Sequence, residues 1–450
     1  MARSRILFGF LAILDLLQMP AARCVSAAEL APEEWTLSRC LEQASHTSPE
    51  LKAAAVDVEM ASTEARERRA ALYAAPELQA SAILLPEDKA IKTPFFEMTL
   101  MERDFYDLTL SVTQPIYAGG GLRGAGRAAA HQAEAAQWMA RARSREVARD
   151  VTAAYYTMQR ARALGEVARL SREQVAAHLR DLENLLAQGM LLRNDLLKVR
   201  VRLSQADLLV QNAATAMDQA RLLLTFTMGI PPDTVIAVAP VEPLNPGVWD
   251  EDLLLERAYR TRPELTALDR ALAAAHAAAR AVGAARLPRL AAFGTYGYGK
   301  PGDELGANEW NDHWTVGLSS TYTIHDWGAR ASQTDRASLN IERLEIDLTR
   351  LKLAIATELR KAYLDVRDAT RRVELARIET AQAEENFSFT RNLRSQGMAI
   401  STDFLDAETD LTKARTAVVQ AEIDYHMAVN QLEFVVGEPL TAADTGGGER

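Results

Sequence analysis

Two stretches of this chain, 208 residues apart, step between apolar residues by fours and threes without a slip. The first runs Leu192, Leu196, Val199, Leu203, Ala206, Val210, Ala213, Met217, Ala220, Leu224. The second runs Ile400, Phe404, Ala407, Leu411, Ala414, Val418, Ala421, Tyr425, Ala428, Leu432. A sustained 3.5-residue period forces left-handed supercoiling against a neighbouring helix. The frequent alanines let the two backbones come close. Each stretch is therefore one strand of a coiled coil, and the chain carries the pattern twice.

The same shift superposes more than the heptads. Ala154-Tyr155-Tyr156 falls on Ala362-Tyr363-Leu364, Gln188-Gly189-Met190 on Gln396-Gly397-Met398, and Asp195 on Asp403. Ser48-Pro49-Glu50-Leu51 resembles Arg262-Pro263-Glu264-Leu265 at a slightly longer shift. A period near 200 is too long for a solenoid repeat and marks duplication of a whole unit. The expected division is a first repeat over 28–228, a connecting segment over 229–250 with five prolines, a second repeat over 251–436, and a flexible tail over 437–450.

Each repeat reads as helix, strand, strand, very long helix, glycine turn, helix. The long helices are expected over 122–187 and 329–395, with seams at Val147, Val151, Ala154, Met158, Ala161 and at Ile355, Leu359, Ala362, Val366, Ala369. At 1.5 Å per residue each is a rod of roughly 100 Å. The shorter helices, about 36–75 with 192–228 and 250–287 with 400–436, match one rod in length when stacked end to end. The strands alternate. Tyr106, Leu108, Leu110 and Val112 oppose Asp107, Thr109, Ser111 and Thr113, and Leu78, Ala80, Ala82 and Leu84 mark a partner. In the second repeat Trp314, Val316, Leu318, Tyr322 and Ile324 form the apolar parity, beside a strand over 290–300. Phe95, Phe96, Trp310 and Trp314 gather near strand ends, where membrane barrels carry aromatic girdles. A soluble sheet with one wet face has the same alternation.

Arg3 and Arg5, the apolar run Ile6 to Leu14 and the small residues Val25-Ser26-Ala27-Ala28 describe a secretory signal peptide over 1–27. Its removal takes Arg3, Arg5, Arg23 and Asp15, a net +2, and moves the formal charge from −10 to −12. An N-terminal amphipathic helix and acylation at Cys24 are the alternatives. Such an acidic chain, without a basic stripe, argues against nucleic acid as a partner. Two cysteines make neither a disulfide scaffold nor a four-cysteine zinc site, and the seven histidines lack metal-ligand spacing. No catalytic constellation, metal or cofactor is expected. Gly119-Gly120-Gly121 opens a helix but lacks the phosphate-loop pattern, and reads as a strand-to-helix bend.

Four strands cannot close a membrane barrel, and open strand edges in lipid leave backbone groups unsatisfied. Transmembrane strands would therefore have to be pooled from several chains, with the helices continuing them as a tube in water.

The order of parts, the junction Gln114-Pro115-Ile116-Tyr117-Ala118-Gly119-Gly120, its weaker copy Ile324-His325-Asp326-Trp327-Gly328 and the hairpin Gln396-Gly397-Met398-Ala399-Ile400-Ser401-Thr402-Asp403 resemble the TolC-like outer-membrane efflux proteins. The resemblance covers nearly all the mature chain. It implies a mainly α fold with a small β part. A homotrimer would share a twelve-stranded barrel in outer-membrane lipid and a twelve-helix periplasmic tunnel. A periplasmic adaptor and an inner-membrane pump of the RND or ABC type are the implied partners, for efflux or type I secretion. A secreted coiled-coil scaffold with a soluble β cap is the competing class.

Asp403, Asp406 and Asp410 lie three and four apart beside the seam, so three copies would form carboxylate rings that favour cations. The family places pore-closing aspartates at positions matching Asp403 and Asp406. The first repeat has Asp195, Lys198 and Arg202 there instead, which should line a different face. Helix capping is the competing reading: Gly189 and Gly397 as C-terminal caps, Asn194 and Thr402 as N-caps, Asp195 and Asp403 against the dipole. Where family members can carry a basic residue two after the tip glycine, this chain has Ala399, leaving Arg193 and Arg394 as substitutes. The tips Gly189-Met190-Leu191 and Gly397-Met398-Ala399 suit insertion between adaptor helices, or are simply tight turns. Gln114, Pro115, Gly119, Gly120, Asp326 and Gly328 form the strand-to-helix junctions.

Overall fold

The computed structural model describes residues 34–86, 89–92, 95, 97–101, 103–188, 193–241, 244, 247, 249–300, 309–396 and 398–440. The signal segment 1–27, Cys24, Phe96, Gly189, Met190, Leu191, Leu192, Gly397 and the tail from 441 lie outside the described residues.

The first repeat comprises α1 (Leu37–Thr47), α2 (Pro49–Ala70), β1 (Ala75–Leu84), a small hairpin of β2 (Lys89–Lys92) and β3 (Glu97–Met101), β4 (Asp104–Tyr117), α3 (Gly121–Ala187) and α4 (Arg193–Met228). The second comprises α5 (Glu251–Thr261), α6 (Pro263–Gly283), β5 (Arg289–Lys300), β6 (Asn311–Thr321), α7 (Ala329–Ser395) and α8 (Ser401–Val436). The two long helices have 67 residues each and the two that return from the tips 36 each. The expected ends of these four helices hold to within a residue.

Three expectations need correcting. The first helix of each repeat is two helices, because Pro49 and Pro263 supply no N–H to the preceding turn and push Ser48 and Arg262 out of helical conformation, to ψ 123° and 118°. The β2–β3 hairpin was not read in the sequence. Strand β6 stops at Thr321, so Tyr322 and Ile324 leave the sheet and stand exposed beyond it.

Helix packing follows the seams. In α3 and α4, Val175, Leu182, Leu196 and Val199 form a core near the tip, while Val151, Met158, Leu224 and Met228 form one near the middle. In α7 and α8 the equivalents are Phe387, Phe404, Ala407 and Leu411, then Leu359, Val366, Tyr425 and Leu432. Helices α2 and α4 share α3 as their partner, and α6 and α8 share α7, as the end-to-end stacking predicts. Helix α3 also packs on α6 and α8, which joins the repeats. The early part of the connecting segment is held in place, with Trp35 bridging Val238 in parallel and Gln159 Nε2 donating to the Ala239 carbonyl at 3.0 Å. The start of the expected flexible tail is held too: Arg257 Nη2 donates to Glu438 Oε2 at 2.8 Å.

The four main strands form one antiparallel sheet in the order β1-β4-β5-β6. This order repeats the lateral order of the helices they continue into.

Candidate functional site

Register brings the alternation of four separate strands onto common faces. Leu78, Leu110, Tyr296 and Trp314 make one row, and Pro76, Val112, Gly294 and Val316 the next. The opposite face carries Gln79, Thr109, Gly297 and His313, then Glu77, Ser111, Thr295 and Thr315. The apolar face is the exposed one, with Trp314 at 71% and Val316 at 75%. Along β4 the polar positions Asp107, Thr109 and Ser111 are half-buried while Leu108 and Leu110 between them are exposed, and Gly297 and Gly299 are buried. A sheet built for water buries its apolar side; this one is inverted. Trp310 stacks on Tyr298 at 5.2 Å and on Tyr106 at 6.0 Å, placing an aromatic group at the end of the sheet away from the helices. Phe95 stands fully exposed between β2 and β3.

At the other end the strands turn into helices. Gly120 and Gly328 are the N-caps of α3 and α7, both left-handed at φ +85°. Gln114 Nε2 donates to the Leu72 carbonyl at 3.0 Å, and Pro115 and Tyr117 flank a register shift against β5. In the second junction Asp326 Oδ2 accepts from the Arg330 backbone N–H at 2.9 Å and from its Nε at 2.6 Å.

At the tip, Asp403, Asp406 and Asp410 are all exposed on the first turns of α8. Asp403 Oδ2 accepts the Ile400 N–H at 3.2 Å, so the N-cap is Ile400, and Thr402 lies inside the helix. Asn194 likewise falls within α4. Asp410 pairs with Lys413 at 3.7 Å. Asp195 pairs with Lys198 at 3.2 Å, while Arg202 turns the other way, toward α8. Met398 and Ile400 are exposed beside Ala399. Arg394 is half-buried, and burial lowers its pKa while Asp181 and Asp195 of the first repeat oppose the fall. Arg193 is exposed at the start of α4.

The sequence reading missed the contact between α3 and α8. Glu408 is fully buried. Its Oε1 accepts from Ser171 Oγ and, at 2.8 Å, from Thr412 Oγ1; its Oε2 accepts from Arg202 Nη2 at 3.0 Å. Two turns nearer the tip, His178 Nε2 and Ser401 Oγ lie 3.0 Å apart, with the imidazole 4.2 Å from the Phe404 ring. Further from the tip, Arg160 Nη2 donates to Asp424 Oδ1 at 2.5 Å and Arg145 Nη2 to the Phe434 carbonyl at 2.6 Å. The two hairpins thus have apolar interiors, and the joint between them carries buried polar pairs beside apolar contacts such as Leu405 and Phe404. The signal in the sequence is a run of polar residues one step off the α8 seam, at Ser401, Glu408 and Thr412.

An inverted sheet that continues into long coiled-coil helices defines a membrane-embedded channel protein whose helices project into water. Among the described residues no helix is long and apolar enough to cross a membrane. The chain belongs to the outer membrane efflux protein family, whose model matches residues 40–230 and 254–438 and passes over most of the segment joining the repeats. It is similar to the alkaline protease secretion protein AprF of Pseudomonas aeruginosa, 26% identical over 347 residues, covering 74% of this chain and 70% of that protein. It is also similar to the pyoverdine export outer membrane protein OpmQ of the same organism, 25% identical over 205 residues, or 44% of this chain and 43% of that one. The fold matches the CmeC outer membrane channel of Campylobacter jejuni with a TM-score of 0.78 at 16% identity, over 89% of this chain and 85% of that one. The protein is therefore an outer-membrane channel of the efflux and secretion type, with its helices in the periplasm. The family is one of channels, not enzymes.

Proposed function

We propose that three copies of the chain close a twelve-stranded barrel and a twelve-helix tunnel, which gives cargo from an inner-membrane pump a passive exit through a periplasmic adaptor. The observation that carries this reading is the inverted sheet with two open edges, β1 and β6. Unpaired edge N–H and C=O groups are prohibitive in hydrocarbon, so the edges must pair with other copies. Successive strands are antiparallel, so β6 of one copy meets β1 of the next with the correct polarity.

In this assembly Asp403 and Asp406 form the carboxylate rings that narrow the periplasmic mouth, with Asp410 a turn behind. The tips 189–191 and 397–399 face the adaptor. Exposure of all three aspartates, with Met398 exposed at the turn, supports this reading. In planar bilayers, Asp403→Ala with Asp406→Ala should raise single-channel conductance and weaken block by multivalent cations. Unchanged conductance and block would remove the gate assignment and leave the duct intact.

A further inference from the structure

We infer that copies of the chain meet through a charge-inverted duplicate of the joint inside each chain, with Arg200 of one copy on Glu379 of the next and Phe226 of one against Leu353 of the next. That several copies assemble is the reading given above; which residues join them follows from the duplication.

The shift of 208 residues carries both ends of α3 (Gly121–Ala187) onto those of α7 (Ala329–Ser395), and both ends of α4 (Arg193–Met228) onto those of α8 (Ser401–Val436). What differs is the flanking. Helix α3 packs on α2 and α4 at one flank and on α6 and α8 at the other, whereas α7 packs on α6 and α8 and leaves its second flank open. Helix α3 accordingly buries 18 residues where α7, of equal length, buries nine. His131, Trp138, Arg145 and Tyr156 of α3 are half-buried; their equivalents Leu339, Ile346, Leu353 and Leu364 of α7 are exposed and apolar. Strand β6, which leads into α7, is also an unpaired edge. The occupant that fits this flank is the α2 and α4 side of a second copy, because α2 and α4 are the duplicates of α6 and α8. Head-to-tail contacts of this kind close a ring.

The chemistry of the two joints is complementary in sign. Inside the chain, Glu408 of α8 is the anion, with Ser171 of α3 donating to it and Arg202 of α4 supplying the cation. The shift puts Arg200 of the next copy in the place of Glu408, Glu379 in that of Ser171 and Asp410 in that of Arg202. Cation and anion have changed sides. Arg200 and Glu379 are both exposed, and Arg200 uses only Nη2 on Glu183 of its own hairpin, at 3.1 Å. Nearer the strands, Arg145 and Arg149 of α3 lie over the Phe434 ring at 5.5 Å and 4.5 Å. Their equivalents, Leu353 and Thr357, fall to Phe226 of the next copy. Phe226 is 77% and Leu353 66% exposed in the single chain, so their contact takes apolar surface out of water. The inversion also sets the order of parts. Helix α7 laid on the α8 flank of another copy would put Glu379 against Glu408, whereas the α4 flank offers Arg200. Two kinds of joint therefore alternate around the tube.

The test uses the full chain in detergent. Arg200→Cys with Glu379→Cys, once oxidised, should run on a denaturing, non-reducing gel as three linked chains. Either single variant, which shares the buried Cys40, should not. Phe226→Cys with Leu353→Cys should link the same way and serves if the first pair does not fold. Arg200→Glu should speed the exchange of chains between differently labelled assemblies about tenfold or more. Arg200→Glu with Glu379→Arg should return the rate toward that of the wild type. A three-chain mass by light scattering with no link at either pair, or a double reversal that exchanges as fast as the single one, overturns this joint and leaves the assembly standing. A single-chain mass overturns both.

Discussion

His178 shows how strongly a side chain near the tip depends on its surroundings. It is 3% exposed, and burial, reinforced by Arg394, lowers its pKa from 6.5 to about 4. The folded state thus holds it neutral where an unfolded chain would bind a proton. Its contribution to stability is complete above pH 6.5 and is lost as pH falls toward 4. The shift bounds that loss at about 3 kcal/mol. Hydrogen exchange of the α3–α8 tip region, corrected for intrinsic rates, should show opening become easier across this window in the wild type. In His178→Phe, which keeps a ring against Phe404, that pH dependence should vanish; a persistent one would place its source elsewhere. Glu408 makes the complementary point. Its carboxylate is buried against Arg202, Ser171 and Thr412, so removing Arg202 takes away its one charged partner in that set and leaves only the two hydroxyls.

At the scale of elements the duplication has a physical signature that letter-by-letter comparison shows only faintly. Thr47 Oγ1 donates to the Met228 carbonyl at 2.5 Å, and Thr261 Oγ1 to the Val436 carbonyl at 2.6 Å. In each repeat the residue after that carbonyl is a left-handed glycine, Gly229 at φ +69° and Gly437 at φ +107°, pressed against the proline break of the preceding helix pair. A Cβ at Gly229 would lie 2.7 Å from Pro49 Cδ and 2.9 Å from the Thr47 carbonyl oxygen. Gly229→Ala should cost about 2 kcal/mol, combining left-handed strain with displacement of that break. Gly283→Ala is the control, since Gly283 is helical at φ −59° with nothing within 4 Å. It should be neutral or stabilising, and thermal unfolding distinguishes the two.

This pair of motifs also shows where the sequence was legible. The four tip-forming helices could be bounded closely because a 3.5 period registers each residue against a partner running alongside. The same period runs through Pro49 and Pro263, so it conceals the breaks there. Parity fixed which residues of β1, β4, β5 and β6 share a face, since a shift by one residue would mix Leu110 with Gly297; the register itself and the strand order come only from the structure, because a shift by two keeps parity. The second face of α8 escaped notice because a seam search discards polar positions. Glu408 reads as solvated flank until α3 is laid against it. Asp403 and Asp406 were legible as candidates through the resemblance, and their exposure agrees with either a pore or a solvated surface.

For the whole molecule, an edge is the deciding feature. A sheet of this polarity with β1 and β6 unpaired is incomplete, and the proposed trimer completes it. The protein extracted in detergent should therefore have the mass of three chains by light scattering. A stable single chain that needs no detergent would sink the assembly. Inside each chain, the joint between the hairpins obeys different thermodynamics from their interiors. Parting α3 from α8 would hand the polar groups of His178, Glu408, Arg160 and Asp424 to water along with part of Phe404 and Leu405, whereas splitting α7 from α8 would uncover Phe387, Ala407 and Leu411. Hydrating hydrocarbon raises heat capacity and hydrating polar groups does not. Because polar hydration offsets part of the apolar contribution, a displacement along the joint should carry a smaller heat-capacity change than opening either hairpin.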